Sequence, residues 1–217
     1  GITGCMDGSE KSYRYQAYRD IYPQADEKLP RTSLSLYWGE DLQKRIDEAE
    51  DKNNISLAQI SGIPELERLR IRSVKFFLDG VLESQTAVLE EPYLAIDQVG
   101  YHGIQNFSEE HLNKYVAILQ ANGIQSHFHV VGDKAVRIAL DAIEYAKTQH
   151  PGSEETDPRH YLAHLQLVNK NDYERFKRLN VCANFSPVWC WYDSNVKVTD
   201  TYLGPERAKT QYPIGDL

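Results

Sequence analysis

The sequence has few cysteines, no long apolar run and no excess of positive charge. Its three cysteines, Cys5, Cys182 and Cys190, lack regular spacing, which argues against a disulfide framework and against a CxxC metal or redox motif. No apolar run approaches the roughly 20 residues of a membrane span. No basic-then-apolar leader is visible either. A net charge of −8 argues against nonspecific binding to nucleic acid or to an anionic membrane.

The composition that remains is that of an ordinary globular protein. The chain has 217 residues, of which 41% are apolar and 26% charged, enough for one large domain or two small ones. It opens on GITGCMDG without an initiator methionine and stops at GDL, so we expect a segment of a longer polypeptide. A cytoplasmic location is favoured, although any export signal would lie upstream of Gly1.

Strand-like segments alternate with helical segments about six times along the chain. The strand-like segments are GITGCMDG, SLSLYW, IRSVKFFL, IQSHFHVV, YLAHLQLV and NVCANFSPVW. Helical spacing runs from Tyr13 to Tyr22, where Pro23 is expected to end it, and Ser108 and Asp133 are expected to cap two later helices. This alternation favours parallel βαβ units.

A TIM-type (β/α)8 barrel fits this order better than a nucleotide-binding fold, because the chain has no Gly-rich phosphate loop. A complete barrel takes about 250 residues, so we predict an α/β partial barrel with roughly strands 2 to 7 and their helices. Residues 1–217 then form one incomplete barrel domain. The segment 81–107 has little periodicity and is predicted to be an excursion or lid-like loop.

Three polar residues stand near the ends of apolar strand-like segments. They are Lys75, His129 and His164. A lysine inside a buried strand is costly unless it is neutralised, paired or bound, and imidazole is the commonest metal-ligating side chain. Because side chains alternate along a strand, Lys75 is expected to share a face with Asp79, His129 with His127, and His164 with His160. Lys75, His129 and His164 are all expected to lie on the face that points into the barrel. Snorkelling of Lys75, its pairing with Asp79 and ordinary core histidines are the alternatives.

Three segments resemble the amidohydrolase superfamily: VKFFLDGVLESQTAVLEEPY, HVVGDKAVRIALDAIE and AHLQLV. The branch that they resemble is that of metal-dependent hydrolases related to N-substituted formamide deformylase. The resemblance implies that Lys75 is carboxylated and bridges two divalent ions, with zinc favoured, and that His129 and His164 are metal ligands. The implied reaction is hydrolysis of an amide or formamide-like C–N bond by metal-bound hydroxide.

Four more residues are expected near this site. His127, Asp79, Tyr93 and Trp189 are predicted to line the substrate pocket or to support the metal ligands, with ordinary packing or turn roles as the alternative. The catalytic residue is unassigned, because the family's aspartate is expected beyond Leu217, and the family's first-strand His-x-His also has no counterpart here. The isolated chain is therefore expected to be inactive.

The sequence departs from the resembling branch at two further places. Glu83-Ser84-Gln85 stands where that branch has Gly-Ser-Arg, and Ala163 replaces its glutamate. The expected partner is a small amide-like substrate, with no nucleic acid and no membrane. Open strand edges favour a homo-oligomer. The competing hypothesis is a catalytically silent structural or ligand-binding barrel fragment that self-associates.

Overall fold

Six strands lie side by side in chain order, and every neighbouring pair runs parallel. This computed structural model describes residues 2–11, 15–94, 99–150 and 157–217. The strands are β1 (Gly4–Glu10), β2 (Arg31–Tyr37), β3 (Leu69–Phe77), β4 (Gln125–Val130), β5 (Tyr161–His164) and β6 (Cys182–Phe185). Within the described ranges, each connection between strands carries at least one helix.

The described residues form eight α-helices. They are α1 (Tyr15–Ala25), α2 (Glu40–Asp47), α3 (Leu57–Ser61), α4 (Glu109–Ala121), α5 (Asp133–Gln149), α6 (Tyr173–Arg178), α7 (Ser194–Leu203) and α8 (Pro205–Ala208). Six parallel strands with intervening helices confirm the predicted partial TIM-type barrel. None of the helices in these ranges is long and apolar enough to cross a membrane. All three cysteines are free thiols.

The main core lies between the outward face of the sheet and the helices. Val74, Phe76 and Phe128 are fully buried, and they belong to one cluster with the apolar stripes of α4 and α5. In α4 the stripe includes Leu112 and Val116, which the sequence places at helical spacing. The opposite face of the strands is left for the polar side chains discussed below.

Two helix boundaries differ from the sequence prediction. Helix α1 continues through Pro23 to Ala25, because a proline removes only its own N–H bond and few further bonds remain so near a helix end. Tyr13 lies outside the described residues. Ser108 caps α4 as predicted and accepts a bond from the His111 amide at 3.2 Å. Asp133, however, is the first residue of α5, whose N-cap is Gly132.

Sequence patterns did not indicate α3 or α7, and β5 is shorter than its apolar run. YLAHLQLV reads as a continuous strand, but the strand ends at His164, where the backbone becomes left-handed. The last helix, α8, is short and ends at Ala208. Apolar composition alone does not indicate such a local change of backbone conformation.

The segment after β3 contains turns but neither helix nor strand in its described parts, 78–94 and 99–107. It is nevertheless firmly anchored. The Asp79 carboxylate accepts hydrogen bonds from the amides of Val88 at 3.0 Å, Val131 at 3.1 Å and Gly132 at 2.9 Å. Leu82, Ala87, Leu89 and Tyr93 are buried with Val131 and Leu167 in a second apolar cluster. The predicted excursion is thus packed onto the carboxyl ends of the strands.

Candidate functional site

The sheet register brings Lys75 beside His127. Lys75 pairs with His127 across β3 and β4, and Phe77 pairs with His129, so these four side chains point to the same face. The Lys75 Nζ lies 2.5 Å from His127 Nε2. Lys75 is only 4% exposed. The lysine therefore neither snorkels into solvent nor uses Asp79 as its hydrogen-bond partner, since the Asp79 carboxylate is taken up by backbone amides.

Burial disfavours the positively charged form of Lys75. Removal from water lowers the pKa of Lys75 to about 7 from its ordinary 10.5. Burial also lowers the pKa of His127 to about 2, and Lys75, His164 and His129 lower it further through their charges. At neutral pH the pair thus consists of a neutral imidazole and a lysine poised to lose its proton.

The His129 ring is oriented by the loop that follows β3. Its Nε2 donates to the Gly80 carbonyl oxygen at 2.9 Å, and Asp79 Oδ1 lies 3.8 Å from the same nitrogen. Because a carbonyl can only accept, the proton must sit on Nε2, and the lone pair is left on Nδ1. Burial lowers the pKa of His129 to about 4, so the ring is neutral.

The position of His164 near the site depends on its backbone conformation and not on the alternation of side chains along β5. We predicted that it shares the inward parity of Lys75 and His129, and this is wrong: the register pairs His164 with Val130, and His129 with Ala163. Alternation within one strand does not fix the register of that strand against its neighbour. The register is set by the hydrogen bonds between the two strands. Instead, His164 and Leu165 adopt positive φ angles of 82° and 51°. The ring centroids of His164 and His129 then lie 4.5 Å apart.

Such a backbone is unusual for residues with side chains and costs about 1–3 kcal/mol per residue. Two residues that follow β6 hold the His164 ring in this position. Ser186 Oγ lies 3.1 Å from His164 Nδ1, and the Trp189 ring stacks on the imidazole at 4.3 Å. The pKa of His164 is lowered to about 3, and burial is the largest cause. The charges of His129 and Lys75 lower this pKa further.

The remaining predicted residues divide into two groups. His127 and Trp189 contact the predicted ligands Lys75 and His164, and Asp79 lies behind His129. Tyr93 packs elsewhere: its hydroxyl donates to the Ala87 carbonyl at 2.8 Å inside the second apolar cluster, where it supports the loop. Opposing effects act on Asp79, since burial raises its pKa to about 7 while the amides of Gly132, Val88 and Val131 lower it.

Sequence patterns missed four residues at the site. Ser35 and Ser73 lie behind His127, Tyr161 stacks on His127 with centroids 4.1 Å apart, and Ser186 contacts His164. One signal was present: Ser35 and Ser73 are small polar residues within apolar strands, at positions of the inward parity. Ser186 carries no comparable signal, because it lies in an irregular segment.

The donor set fits part of a divalent metal site. His129 keeps Nδ1 free while its other nitrogen donates to a carbonyl, which is the usual support of a metal-ligating histidine. Neutral imidazoles and a readily neutralised lysine offer lone pairs rather than charge. Among the residues the structure describes, no three His, Cys, Asp or Glu side chains are grouped closely enough to hold an ion by themselves. An ion bound here would therefore need at least one further donor, such as an uncharged lysine.

Comparison with known proteins gives consistent results. The sequence profile of the Amidohydrolase family matches residues 1–217. Protein LONG AFTER FAR-RED 3 of Arabidopsis thaliana is 30% identical over 215 residues, covering 96% of this chain and 34% of that protein. The chain thus spans about a third of the length of this relative.

Two solved structures are also similar. An uncharacterized metal-dependent hydrolase from Pyrococcus furiosus has a TM-score of 0.68 and 28% identity, covering 98% of this chain and 39% of its own. An uncharacterized metal-dependent hydrolase from Pyrococcus horikoshii has a TM-score of 0.70 and 25% identity, covering 99% of this chain and 38% of its own. Both likenesses extend over nearly all of the partial barrel.

Proposed function

Because this chain belongs to the amidohydrolase family, we propose that it carries part of the active centre of a metal-dependent hydrolase. The observation that supports this most is the grouping of Lys75, His127, His129 and His164 near the carboxyl ends of β3 to β5. Active sites of TIM-type barrels lie at this end. The two solved metal-dependent hydrolases share the fold over nearly the whole chain.

We assign Lys75, His129 and His164 to a divalent ion, with zinc favoured, and leave the other ligands to the rest of the protein. The hydrogen bonds at the site leave His129 Nδ1 free, and the contact of Ser186 with His164 Nδ1 leaves His164 Nε2 free. When bound, such an ion acts as a Lewis acid and lowers the pKa of water. Asp79 and Gly80 hold the His129 ring in place, and Trp189 covers His164.

Carboxylation of Lys75 is a further part of the proposal. A carbamate forms when an uncharged amine attacks carbon dioxide and loses a proton, and the burial of Lys75 favours the uncharged amine. The carbamate would supply two anionic oxygens to a site that is otherwise rich in neutral donors. This would compensate for the scarcity of carboxylates beside the three imidazoles.

We propose that the substrate is a small molecule with an amide or formamide-like C–N bond. The basis is the resemblance of the segments around Lys75 and His129 to N-substituted formamide deformylase. The exposed Trp189 ring and the half-buried Phe77 ring offer apolar contact to a substituent on nitrogen.

Metal analysis of the intact protein tests the proposal. We expect bound divalent metal, hydrolysis of at least one compound in a panel of N-formyl and N-acyl amides, and loss of both in Lys75→Ala. Lys44→Ala is the matched control, because Lys44 lies on the surface of α2. Absence of bound divalent metal, together with unchanged hydrolysis in Lys75→Ala, would refute the proposal.

A second candidate is a catalytically silent fragment that binds another copy of itself. The observation in its favour is that β1 and β6 pair on one side only within the described sheet, and most of β6 is exposed. Unpaired strand edges favour association. Sedimentation velocity distinguishes the two states: a stable, folded monomer at high concentration contradicts self-association.

A further inference from the structure

Residues 78–94, which we call the strap, run from the end of β3 to the first turn of α5. Two backbone groups of Val88 hold the strap there. The Val88 amide donates to the Asp79 carboxylate at 3.0 Å. The Val88 carbonyl oxygen accepts from the amides of Lys134 and Ala135 at 3.2 and 3.3 Å. Since the first amides of a helix have no acceptor inside the helix, the strap supplies one to α5.

Glu90 extends this attachment from the backbone to the side chains. The Glu90 amide donates to Asp133 Oδ1 at 3.0 Å. The Glu90 carboxylate forms an ion pair with Arg137 of α5 and accepts a hydrogen bond from Asn169 Nδ2 at 2.6 Å. Asn169 lies between β5 and α6. One carboxylate therefore joins three segments of the chain, which follow β3, β4 and β5.

Both side-chain partners of Glu90 are held in place by other contacts. Arg137 Nε and Nη2 lie 3.0 and 2.9 Å from Asp172 Oδ2, and Asp172 is buried. The Asn169 side-chain oxygen accepts from the Asn171 amide at 3.0 Å, which leaves its Nδ2 to donate to Glu90. Because these partners are already oriented, little further ordering opposes the attachment of Glu90.

The opposite end of the strap contacts the candidate site. The Gly80 carbonyl oxygen accepts the bond from His129 Nε2 at 2.9 Å. Within the strap, the Gly80 amide donates to the Thr86 carbonyl at 3.1 Å, and the Val81 amide donates to Thr86 Oγ1 at 3.0 Å. Residues 80–86 thus form a closed turn beside the attached part of the strap. A shift of that part would displace the acceptor of the His129 ring.

We propose that Glu90 is a positioning residue for His129. Its ion pair and hydrogen bond fasten the strap, and the strap fixes the Gly80 carbonyl oxygen that accepts from the His129 ring. The attachment stands on these contacts alone, whereas its effect on a bound ion rests on the proposed function. Glu90 itself contacts neither the proposed metal ligands nor a substrate.

Hydrogen exchange in the intact, chelator-treated protein tests the positioning without a metal. NMR follows the Val88 amide proton and the His129 Nε2 proton, which is assigned by its absence in His129→Gln. We expect both protons to exchange about tenfold faster in Glu90→Ala, because the opening of the strap then breaks fewer contacts. Glu90→Gln, which keeps the shape and an acceptor for the Asn169 amide, is expected to show a smaller increase.

Glu91→Ala is the matched control for the exchange measurement. Glu91 is the next residue of the strap, but its carboxylate is 77% exposed and lies 3.8 Å from its partner Arg207. Both protons should exchange at wild-type rates in this variant. A wild-type exchange rate of the His129 ring proton in Glu90→Ala would overturn the inference. If Glu90→Ala does not fold, a wild-type rate in Glu90→Gln would overturn it.

Zinc affinity, measured by competition with a chromophoric chelator, tests the effect on the ion. Loss of a group that bonds a metal ligand directly costs about 10–100-fold in affinity. Glu90 acts one step further away, and Asp79 keeps its bonds to the amides of Val131 and Gly132. We therefore expect the dissociation constant to rise only about three- to tenfold in Glu90→Ala.

A purely structural role predicts a different result. Glu90→Ala would then unfold at a lower temperature, but its folded form would bind zinc as tightly as the wild type. Equal zinc affinities of the two folded proteins would therefore overturn the inference. A wild-type protein that binds no zinc would contradict the proposed function instead, and the exchange of the His129 ring proton would still decide whether Glu90 positions that ring.

Discussion

Lys75 Nζ and His127 Nε2 lie 2.5 Å apart on neighbouring strands, and both side chains are almost completely buried. So short a contact between two nitrogens requires one proton between them, because two donors would repel each other and two lone pairs would also repel. Two positive charges at this distance are excluded in a buried site. The pair therefore cannot take up two protons without moving apart, which links the site to the pH dependence of the fold.

We predict that the protein loses stability in acid. The pKa values of His127, His129, His160 and His164 lie at about 2, 4, 3 and 3 in the folded protein, chiefly because of burial, against 6.5 in the unfolded chain. Because these pKa values are lower in the folded protein, the stability that each histidine contributes is fully present above pH 6.5. This contribution is lost as the pH falls toward the pKa of the folded state. Between pH 6.5 and 4, each imidazole contributes a slope approaching about 1.4 kcal/mol per pH unit.

Two carboxyl groups act in the opposite direction. Burial raises the pKa of Asp79 to about 7 and also raises the pKa of Asp133, so both contribute stability in acid that is lost as pH rises through their raised pKa values. Two carboxyl groups do not offset four imidazoles, so the net trend is destabilisation in acid. Urea denaturation of the chelator-treated protein at pH 7 and pH 5 measures it, with His160→Asn as a variant expected to show a shallower slope. Equal free energies of unfolding at the two pH values would contradict the prediction.

His160 is predicted to stabilise the fold without taking part in the candidate site. Its Nδ1 accepts from the Ser126 amide at 2.9 Å, and its Nε2 donates to Gln120 Oε1 at 2.8 Å, which joins β4 to α4. His160→Ala removes both of these hydrogen bonds from buried groups, so we expect a loss of about 2–4 kcal/mol of unfolding free energy. His150→Ala should be nearly neutral, and equal losses in both variants would argue against this role.

The stacking of Trp189 on His164 is predicted to keep this imidazole neutral. Trp189→Ala removes the ring that covers His164, so the pKa of His164 should rise toward its ordinary value because burial is the main cause of its lowering. NMR titration of the histidine ring protons measures the change. Trp191→Ala is the control, since Trp191 is 76% exposed. A His164 pKa that is the same in the Trp189→Ala and wild-type proteins would contradict the prediction.

Gly132 is predicted to tolerate no side chain. An added carbon would lie 2.1 Å from the Val88 carbonyl oxygen, a backbone atom of the anchored loop, so the loop must shift. We expect Gly132→Ala to lower the free energy of unfolding by about 1–3 kcal/mol and to weaken the contacts of Asp79 with the loop. Gly215→Ala is the control because no atom lies within 4 Å of its added carbon. Thermal denaturation of both variants measures the difference. Equal unfolding midpoints for Gly132→Ala and Gly215→Ala would contradict the prediction.

The fold was largely predictable from the sequence. Apolar runs separated by amphipathic helices correctly indicated parallel strands, and the apolar stripes of α4 and α5 form the core as expected. Helix ends were less predictable: Pro23 lies inside α1, and Asp133 is the first residue of α5 rather than its cap. These boundaries depend on local hydrogen bonds that a residue pattern does not contain.

The site was predictable only in part. Lys75 and His129 share one face because their strands pair in register, which alternation anticipates. His164 does not follow that rule, and its approach to His129 depends on the left-handed backbone at residues 164 and 165. The serine pair behind His127 also escaped notice, because a buried serine has no distinctive pattern until the strand register is known.

The central claim is that Lys75, His129 and His164 bind a common divalent ion. Anomalous diffraction at a metal absorption edge, from crystals of the intact protein, tests it most directly. The account predicts an anomalous peak within about 2.0–2.2 Å of His129 Nδ1 and of a His164 ring nitrogen, with Lys75 or its carbamate as a further ligand. Ordered histidines without a peak between them in metal-supplemented crystals, or a metal bound at other residues, would contradict it.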